Sequence, residues 1–379
     1  MPDNRLKQVL NLGQSIWYDN IQRGMIARGE FQKMIAEDGL RGVTSNPTIF
    51  DKAISKSSDY DADIMKGVEK GLSAEEIYWD LVIKDIQSAA DIFGRVHAET
   101  RAVDGYISIE VSPLLARDTQ GTVRQALELY KKVDRKNVMI KIPATKEGIP
   151  AIKAVIAAGI PVNVTLIFSV ERYKEVMNAY LEGLEELHWN KKNCSGVASV
   201  ASFFISRVDT LVDKQLEEKI KAASDPAQKA ALTALLGKAA IANSRAAYAE
   251  FKKLFAPNAA RFFPLRSNGA QVQRPLWAST STKNPAYKDT LYVEELIGPQ
   301  TVNTLPPATV DAFRDHGVAA AKIETGDWTG ELAALAKAGI DLKSVTQQLE
   351  NEGVDSFCDS FRQLLAHLEE KRGKLAASR

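Results

Sequence analysis

The chain has 379 residues, 45% of them apolar and 26% charged, with a formal net charge of +1. That length allows one large domain with insertions, or two domains, around a full core, and the balanced charge gives no reason to expect nucleic acid or an anionic membrane as partner. The polar N-terminus is not a signal peptide, no apolar run approaches the ~18 residues that span a bilayer, and Cys194 and Cys358, without CxxC spacing, argue against a disulfide framework or thiolate zinc site and fit a reducing cytoplasm.

Residues 1–12 pattern as a helix. Ser15–Asp19 reads as a strand with Ser15, Trp17 and Asp19 on one face. Ile26–Ile35 is predicted helical, and Gly42–Pro47 is a second short strand stopped by its proline. Residues 50–97 form a long connection with helical apolar periodicity, Ser73 as N-cap and Glu76 three residues later. Gly105–Val111 is the clearest strand, with Ile107, Ile109 and Val111 alternating with Tyr106, Ser108 and Glu110. A helix over 122–133 leads into a strand at Val138–Pro143, with Lys141 near its end. The next helix, 149–158, stops at Gly159. Pro161–Phe168 sets Asn163 and Thr165 opposite Val162, Val164 and Leu166. After a helix over 170–187, the strand Gly196–Phe203 opens onto Arg207. Residues 208–255 are alanine-rich and helical, broken at Ser224–Pro226. Gln273–Ser279 is the seventh strand, followed by a polar loop to Tyr287 and a short helix over 292–296. Gln300–Leu305 is the eighth, stopped by Pro306 and Pro307. The remainder is predicted helical, with Lys371–Arg379 as a frayed, solvated tail.

No internal repeat or low-complexity linker interrupts this alternation. Eight strands, each followed by helical sequence, predict an α/β fold, a parallel (β/α)8 TIM barrel. Such a barrel takes ~250 residues. The surplus is expected as helical insertions at about 50–97 and 208–255 and C-terminal helices at about 320–372, within a single domain over 1–379.

Strands covered on both faces normally read as continuous apolar runs. Here Asp19, Asn46, Glu110, Lys141, Asn163, Thr165 and Ser202 all fall near C-terminal strand ends. Burying unpaired polar groups costs ~2–7 kcal/mol each, whereas a barrel's inner faces converge at the C-terminal mouth, where function sits. Each residue also has a structural reading. Lys141 could be an edge lysine with its stem on apolar surface, or a structural ion pair with Asp19 or Glu110. Asn46 could be a turn residue before Pro47, Ser202 a small packing residue, and Arg207 a solvated helix-start residue, although a phosphate at that terminus would be well placed.

The four histidines, His97, His188, His316 and His367, lie apart and away from strand ends, which argues against a His-based triad or metal site. Without a His base, a reactive thiol or a glycine-rich phosphate loop, the strongest nucleophile is Lys141. A lysine amine forms a Schiff base with a carbonyl, and the iminium stabilises the carbanion left by carbon–carbon cleavage. Attack needs the neutral amine, and lowering a lysine by ~3 units from ~10.4 costs ~4 kcal/mol. Burial pushes that way and Asp19 and Glu110 oppose it. The carboxylates are natural proton carriers, one for the hydroxyl whose deprotonation drives cleavage, one for carbinolamine dehydration.

The segments Gly42–Pro47, Ile109–Val111, Val138–Thr145 and Asn163–Ser169 closely resemble transaldolases of the longer bacterial form, in order from about residue 10 to the C-terminal helices. This resemblance implies a class I Schiff-base enzyme of the non-oxidative pentose phosphate pathway. Such enzymes move a dihydroxyacetone unit from sedoheptulose 7-phosphate to glyceraldehyde 3-phosphate, giving erythrose 4-phosphate and fructose 6-phosphate. It implies Lys141 as the Schiff-base residue, Asp19 as acceptor of the C4 hydroxyl proton, and Glu110, with Thr165 and a water, for dehydration and hydrolysis. Thr44, Asn46, Asn163 and Ser202 would hold the substrate and its intermediate, and Arg207 the phosphate. Shorter transaldolases carry Ser-Phe-Arg after strand seven; this chain reads Ala278-Ser279-Thr280-Ser281-Thr282-Lys283-Asn284. Lys283 is the candidate replacement, acting as a point charge rather than a bidentate fork.

The same resemblance implies sugar-phosphate substrates, no metal and no organic cofactor, and a cytoplasmic monomer or homodimer. The chain would stand alone or form the N-terminal part of a fusion with a sugar-phosphate isomerase. A fructose-6-phosphate aldolase on the same scaffold is the nearest alternative; rates with and without erythrose 4-phosphate separate the two, and aldolases of the family are as a rule much shorter. A non-catalytic sugar-phosphate-binding barrel is a third reading, and it has no need of the Asp19–Glu110–Lys141 set.

Overall fold

The computed structural model describes residues 4–377. Eight parallel strands close into a barrel in chain order: β1 Gln14–Tyr18, β2 Gly42–Val43, β3 Tyr106–Glu110, β4 Val138–Pro143, β5 Val162–Ile167, β6 Ser199–Phe204, β7 Gln273–Ala278 and β8 Thr301–Leu305. β8 pairs back onto β1, with Trp17 opposite Thr304. This is the expected (β/α)8 architecture. Helical sequence separates each strand from the next, because a parallel connection needs a crossover. Every strand residue is buried, so side chains alternate between the barrel interior and the helix layer.

Several element boundaries differ from those read off the sequence. The helix expected at 26–35 is two, Arg23–Ala27 and Glu30–Asp38, because Gly29 between them takes φ 72°. β2 stops at Val43, which leaves Thr44, Ser45 and Asn46 in the loop that enters the barrel mouth. The connection after β2 holds three helices, Pro47–Ser55, Asp61–Glu69 and Ala74–Glu99. The predicted capping box of Ser73 and Glu76 opens the last of them. Residues 208–255 fold into Ser206–Ala222, Pro226–Thr233 and Ala239–Leu254, with a second interruption at 234–238 beyond the expected one at Pro226. Phe262–Ser267 is a further short helix.

The tail from Lys371 is not frayed. The C-terminal helix Leu342–Ala377 runs through it, and Lys371 Nζ pairs with Asp61 at 2.6 Å and donates to Ile54 O at 2.9 Å. Residues 1–3 of the predicted first helix and 378–379 of the tail lie outside the described residues. The helix itself begins at Arg5, capped by Asn4.

Two features place the site. The C-terminal helix packs on the helix that follows β2 and on the helix that follows β6, so it spans the C-terminal mouth. Beneath it, β5 shifts register between Val164 and Ile167, and Leu166 takes φ 60°. A bulky residue in that region is strained and survives only where its surroundings fix it. Leu166 reaches the helix at Gly353, where a Cβ would stand 3.1 Å from Leu166 Cδ2.

The opposite end is closed by polar groups. Arg274 on β7 donates to Asp104 Oδ1 at 2.7 Å and to Ser15 Oγ at 2.9 Å. Ser15 Oγ and Trp17 Nε1 both donate to Asp104 as well. No helix among the described residues is long and apolar enough to cross a membrane.

Candidate active site

The interior alternation puts Glu110, Lys141 and Asn163 inside the barrel at one level, with Thr165 and Ser202 inside it one step nearer the C-terminal mouth. Glu110 of β3 pairs in register with Lys141 of β4, and Lys141 with Asn163 of β5. A cavity of about 470 Å³ opens above them at the C-terminal mouth. Asp19, Thr44, Asn46, Lys141, Thr165, Ser202, Arg207 and Lys283 line it. Glu110 stands behind Lys141, and Asn163 behind Ser202. None of the four histidines reaches it.

Lys141 is 5% exposed. Its Nζ lies 3.5 Å from Glu110 Oε2, donates to Ser45 O at 3.2 Å, and sits 5.6 Å from the ring centroid of Phe357. Lys146, five residues on, is past the strand end and exposed. Glu110 is buried, and desolvation pushes its pKa up to about 7; Lys141 opposes the rise and Asp19 adds to it. Among the described residues its Oε2 has no partner closer than the Lys141 amine at 3.5 Å. Burial raises the pKa of Asp19 too, against the pull of Lys141 and of its hydrogen bond from Thr44. Thr44 Oγ1 donates to Asp19 Oδ1 at 2.7 Å and lies 2.5 Å from Thr304 Oγ1. With the Thr44 proton committed to Asp19, Thr304 is the donor in that second bond. The carboxylate is thereby oriented by the loop after β2 and, through Thr44, by β8.

Asn163 is fully buried, with both ends of its amide engaged: Nδ2 donates to Ser108 Oγ at 3.0 Å and Oδ1 accepts from Ser202 Oγ at 2.7 Å. Asn46 performs the structural task its sequence suggests, capping the helix Pro47–Ser55 by accepting from Ile49 N at 3.0 Å, while also lining the cavity. Thr165 differs from both: its buried Oγ1 has no hydrogen-bond partner among the described residues. A buried hydroxyl without a partner is costly and points to a bound molecule or a catalytic role. Arg207 is half-buried in the first turn of Ser206–Ala222, its guanidinium 5.8 Å from the Phe204 ring centroid. Lys283 is exposed on the loop after β7 and donates to Ser281 Oγ at 2.9 Å.

Three contributors were not among the sequence candidates. Thr304 and Ser108 carry the signal used for the others, a polar residue on a strand's inward face, and could have been found by it. Phe357 comes from the middle of the C-terminal helix, where nothing in the local pattern distinguishes it from a packing residue. Among the described residues no group of three or more His, Cys, Asp or Glu side chains could hold a metal ion.

The model of the family Transaldolase/Fructose-6-phosphate aldolase matches residues 16–368. The chain belongs to this family. It is 50% identical to the Transaldolase of Trichodesmium erythraeum over 379 residues, 99% of each chain. It is 46% identical to the Transaldolase of Saccharopolyspora erythraea over 97% of this chain and 98% of that one. It is 45% identical to Transaldolase 2 of a Nostoc species over 98% of each. The matched stretch takes in the last three residues of β1, all of β2 to β8 and most of the C-terminal helix, so it covers the elements that carry the cavity's lining residues.

Proposed function

We propose that the chain is a transaldolase acting through a Schiff base on Lys141. The observation that carries this reading is an almost fully buried lysine amine facing the cavity, beside a carboxyl poised near neutrality. The neutral amine adds to the C2 carbonyl of a ketose phosphate, and the carbinolamine loses water to give an iminium. Glu110, with its pKa raised to about 7, gives and takes protons in that dehydration and in the final hydrolysis. Thr165 Oγ1 acts with it. Asp19 takes the C4 hydroxyl proton; the C3–C4 bond breaks and its electrons enter the iminium, leaving an enamine on Lys141. With sedoheptulose 7-phosphate as donor, erythrose 4-phosphate departs. The enamine attacks glyceraldehyde 3-phosphate, and hydrolysis releases fructose 6-phosphate. Ser202, Thr44 and Asn46 hold the hydroxyls of the bound unit, Asn163 supports Ser202, and Arg207 and Lys283 hold the phosphate, aided by the helix N-terminus beside Arg207.

Borohydride reduction in the presence of fructose 6-phosphate, followed by peptide mapping, tests this. A reduced adduct on Lys141 is expected. An adduct confined to Lys146, or none in active enzyme, overturns it. Turnover that does not depend on an aldehyde acceptor would instead assign the chain to the aldolase branch of the family.

Thr165→Val separates catalysis from stability. Its hydroxyl has no protein partner to lose, so the variant should unfold within about 1 kcal/mol of the parent, or be slightly more stable. kcat should fall roughly 10- to 100-fold. A large stability loss with unchanged kcat would make the hydroxyl structural.

A further inference from the structure

The helix Ser206–Ala222 starts with Arg207 in its first turn and carries Asp209 and Asp213 a turn apart on one face. Both carboxylates are buried, and neither has an ion-pair partner among the described residues. Each accepts two hydrogen bonds instead, all from other segments. Asp209 accepts from Ala240 N at 2.7 Å and Tyr292 Oη at 2.8 Å. Asp213 accepts from Gly237 N at 2.9 Å and Tyr287 Oη at 2.7 Å. Two carboxyls buried a turn apart are costly unless hydrogen bonds satisfy them, and these bonds also fix a neighbouring segment.

What they fix is the loop after β7. Its first residue, Ser279, is bound to the start of the same helix: Ser206 N donates to Ser279 O at 3.1 Å, and the two hydroxyls lie 2.9 Å apart. Its far end is bound by Tyr287 to Asp213 and, one helical turn beyond, by Tyr292 to Asp209. Lys283 sits between these attachments, on an arc with both feet on the helix that bears Arg207. The Tyr287 ring is also seated by shape. It lies over Gly237, at φ 70°, where a Cβ would stand 2.9 Å from Tyr287 Cζ.

We infer that Asp213 and Tyr287, backed by Asp209 and Tyr292, form a clamp that holds Lys283 at a fixed distance from Arg207, making Tyr287 a positioning residue for phosphorylated substrates. The inference rests on the proposed phosphate role of Arg207 and Lys283. An exposed lysine on a loop loses several ordered residues' worth of entropy each time it engages a ligand, unless the loop is already ordered. The clamp supplies that order in advance, which is worth most to a point-charge ligand that lacks the fork geometry of arginine.

The test is acceptor kinetics at saturating sedoheptulose 7-phosphate, with glyceraldehyde 3-phosphate or D-glyceraldehyde as acceptor. Tyr287→Phe keeps the ring and deletes the hydroxyl. It should raise KM for glyceraldehyde 3-phosphate roughly fivefold, leave kcat within about twofold, and leave both constants for D-glyceraldehyde nearly unchanged. Gly237→Ala, which displaces the ring, should do the same. Lys283→Ala should raise the same KM, and adding Tyr287→Phe to it should have little further effect, because the tyrosine acts through the lysine. Equal losses with both acceptors, or full additivity with Lys283→Ala, overturn the clamp. So does a silent Tyr287→Phe beside a responsive Lys283→Ala, and in that case the phosphate role of Lys283 survives. A silent Lys283→Ala removes both.

Discussion

Lys141→Met should lose turnover by at least ~10⁴-fold in kcat and become progressively less stable than its parent as the pH rises. The first effect follows from chemistry: methionine has nearly the same length and no amine, and Lys141 is the only buried lysine among the described residues. The second follows from linkage. Burial already lifts Glu110 from its ordinary 4.5 to about 7, with Lys141 pulling the other way. Without the lysine, Glu110 and Asp19 both rise further. A carboxyl whose pKa is higher folded than unfolded binds more protons in the folded state between those values. Its contribution to stability is complete below the unfolded value and lost as the pH climbs through the folded one. In the parent that loss at Glu110 falls between about 4.5 and 7; in the variant it extends above 7. The slope for one such group reaches about 1.4 kcal/mol per pH unit. Near pH 5 the variant should match or exceed its parent, since an uncharged side chain of similar volume has no desolvation cost. Denaturant unfolding at pH 5 and pH 9 measures this. Residual turnover, or an equal loss of stability at both values, would contradict the roles given to Lys141 and Glu110.

The strand pattern was legible because each barrel strand alternates, with a period of two, between a face toward the helices and a face toward the interior. β3 shows it best: Ile107 and Ile109 meet the helix layer, while Tyr106, Ser108 and Glu110 face inward. A polar residue on that inward face near the C-terminal end has few structural uses, and Lys141, Thr165 and Ser202 all stood out for this reason. Asp19 and Asn46 were legible by position but not by conformation, since both lie past the ends of their strands. Arg207 was readable from its place at a helix start.

The rest depended on contacts between distant segments. Asn163 looks, from its strand position, like a residue that would touch substrate. Its buried bonds to Ser108 and Ser202 come from β3 and β6, and no local pattern announces them. The C-terminal helix is a stronger case. Its periodicity specifies a helix but not which surface it covers, so Phe357 beside Lys141 and Gly353 against Leu166 emerge only once the barrel mouth exists to receive them. Leu166 is instructive because the alternation placed it with Val162 and Val164. The register shift and its positive φ turn the chain there, toward that helix.

Asp104→Ala should cost roughly 3–5 kcal/mol of stability, the usual result of leaving one partner of a buried ion pair without its counter-charge. Asp104 precedes β3 and meets three donors at once, Arg274 of β7 and Ser15 and Trp17 of β1, so its loss strands a buried guanidinium and an indole N–H together. Replacing both charged partners, Asp104→Leu with Arg274→Met, should recover most of the loss, because two apolar groups of similar volume have no desolvation cost to offset. The double-mutant cycle measures the coupling directly; a single-variant loss below about 1 kcal/mol would show that Arg274 is satisfied by Val103 O and Ser15 alone. Turnover per folded molecule should survive. Asp19, at the other end of β1, has its own fastenings, Thr44 Oγ1 on its carboxylate and a 2.8 Å bond from its N–H to Leu305 O. A barrel can place stability at one end of a strand and chemistry at the other. Asp19 stands only two positions beyond Trp17, just past the end of β1, and its separate anchoring keeps that carboxylate in place when the lower network is cut.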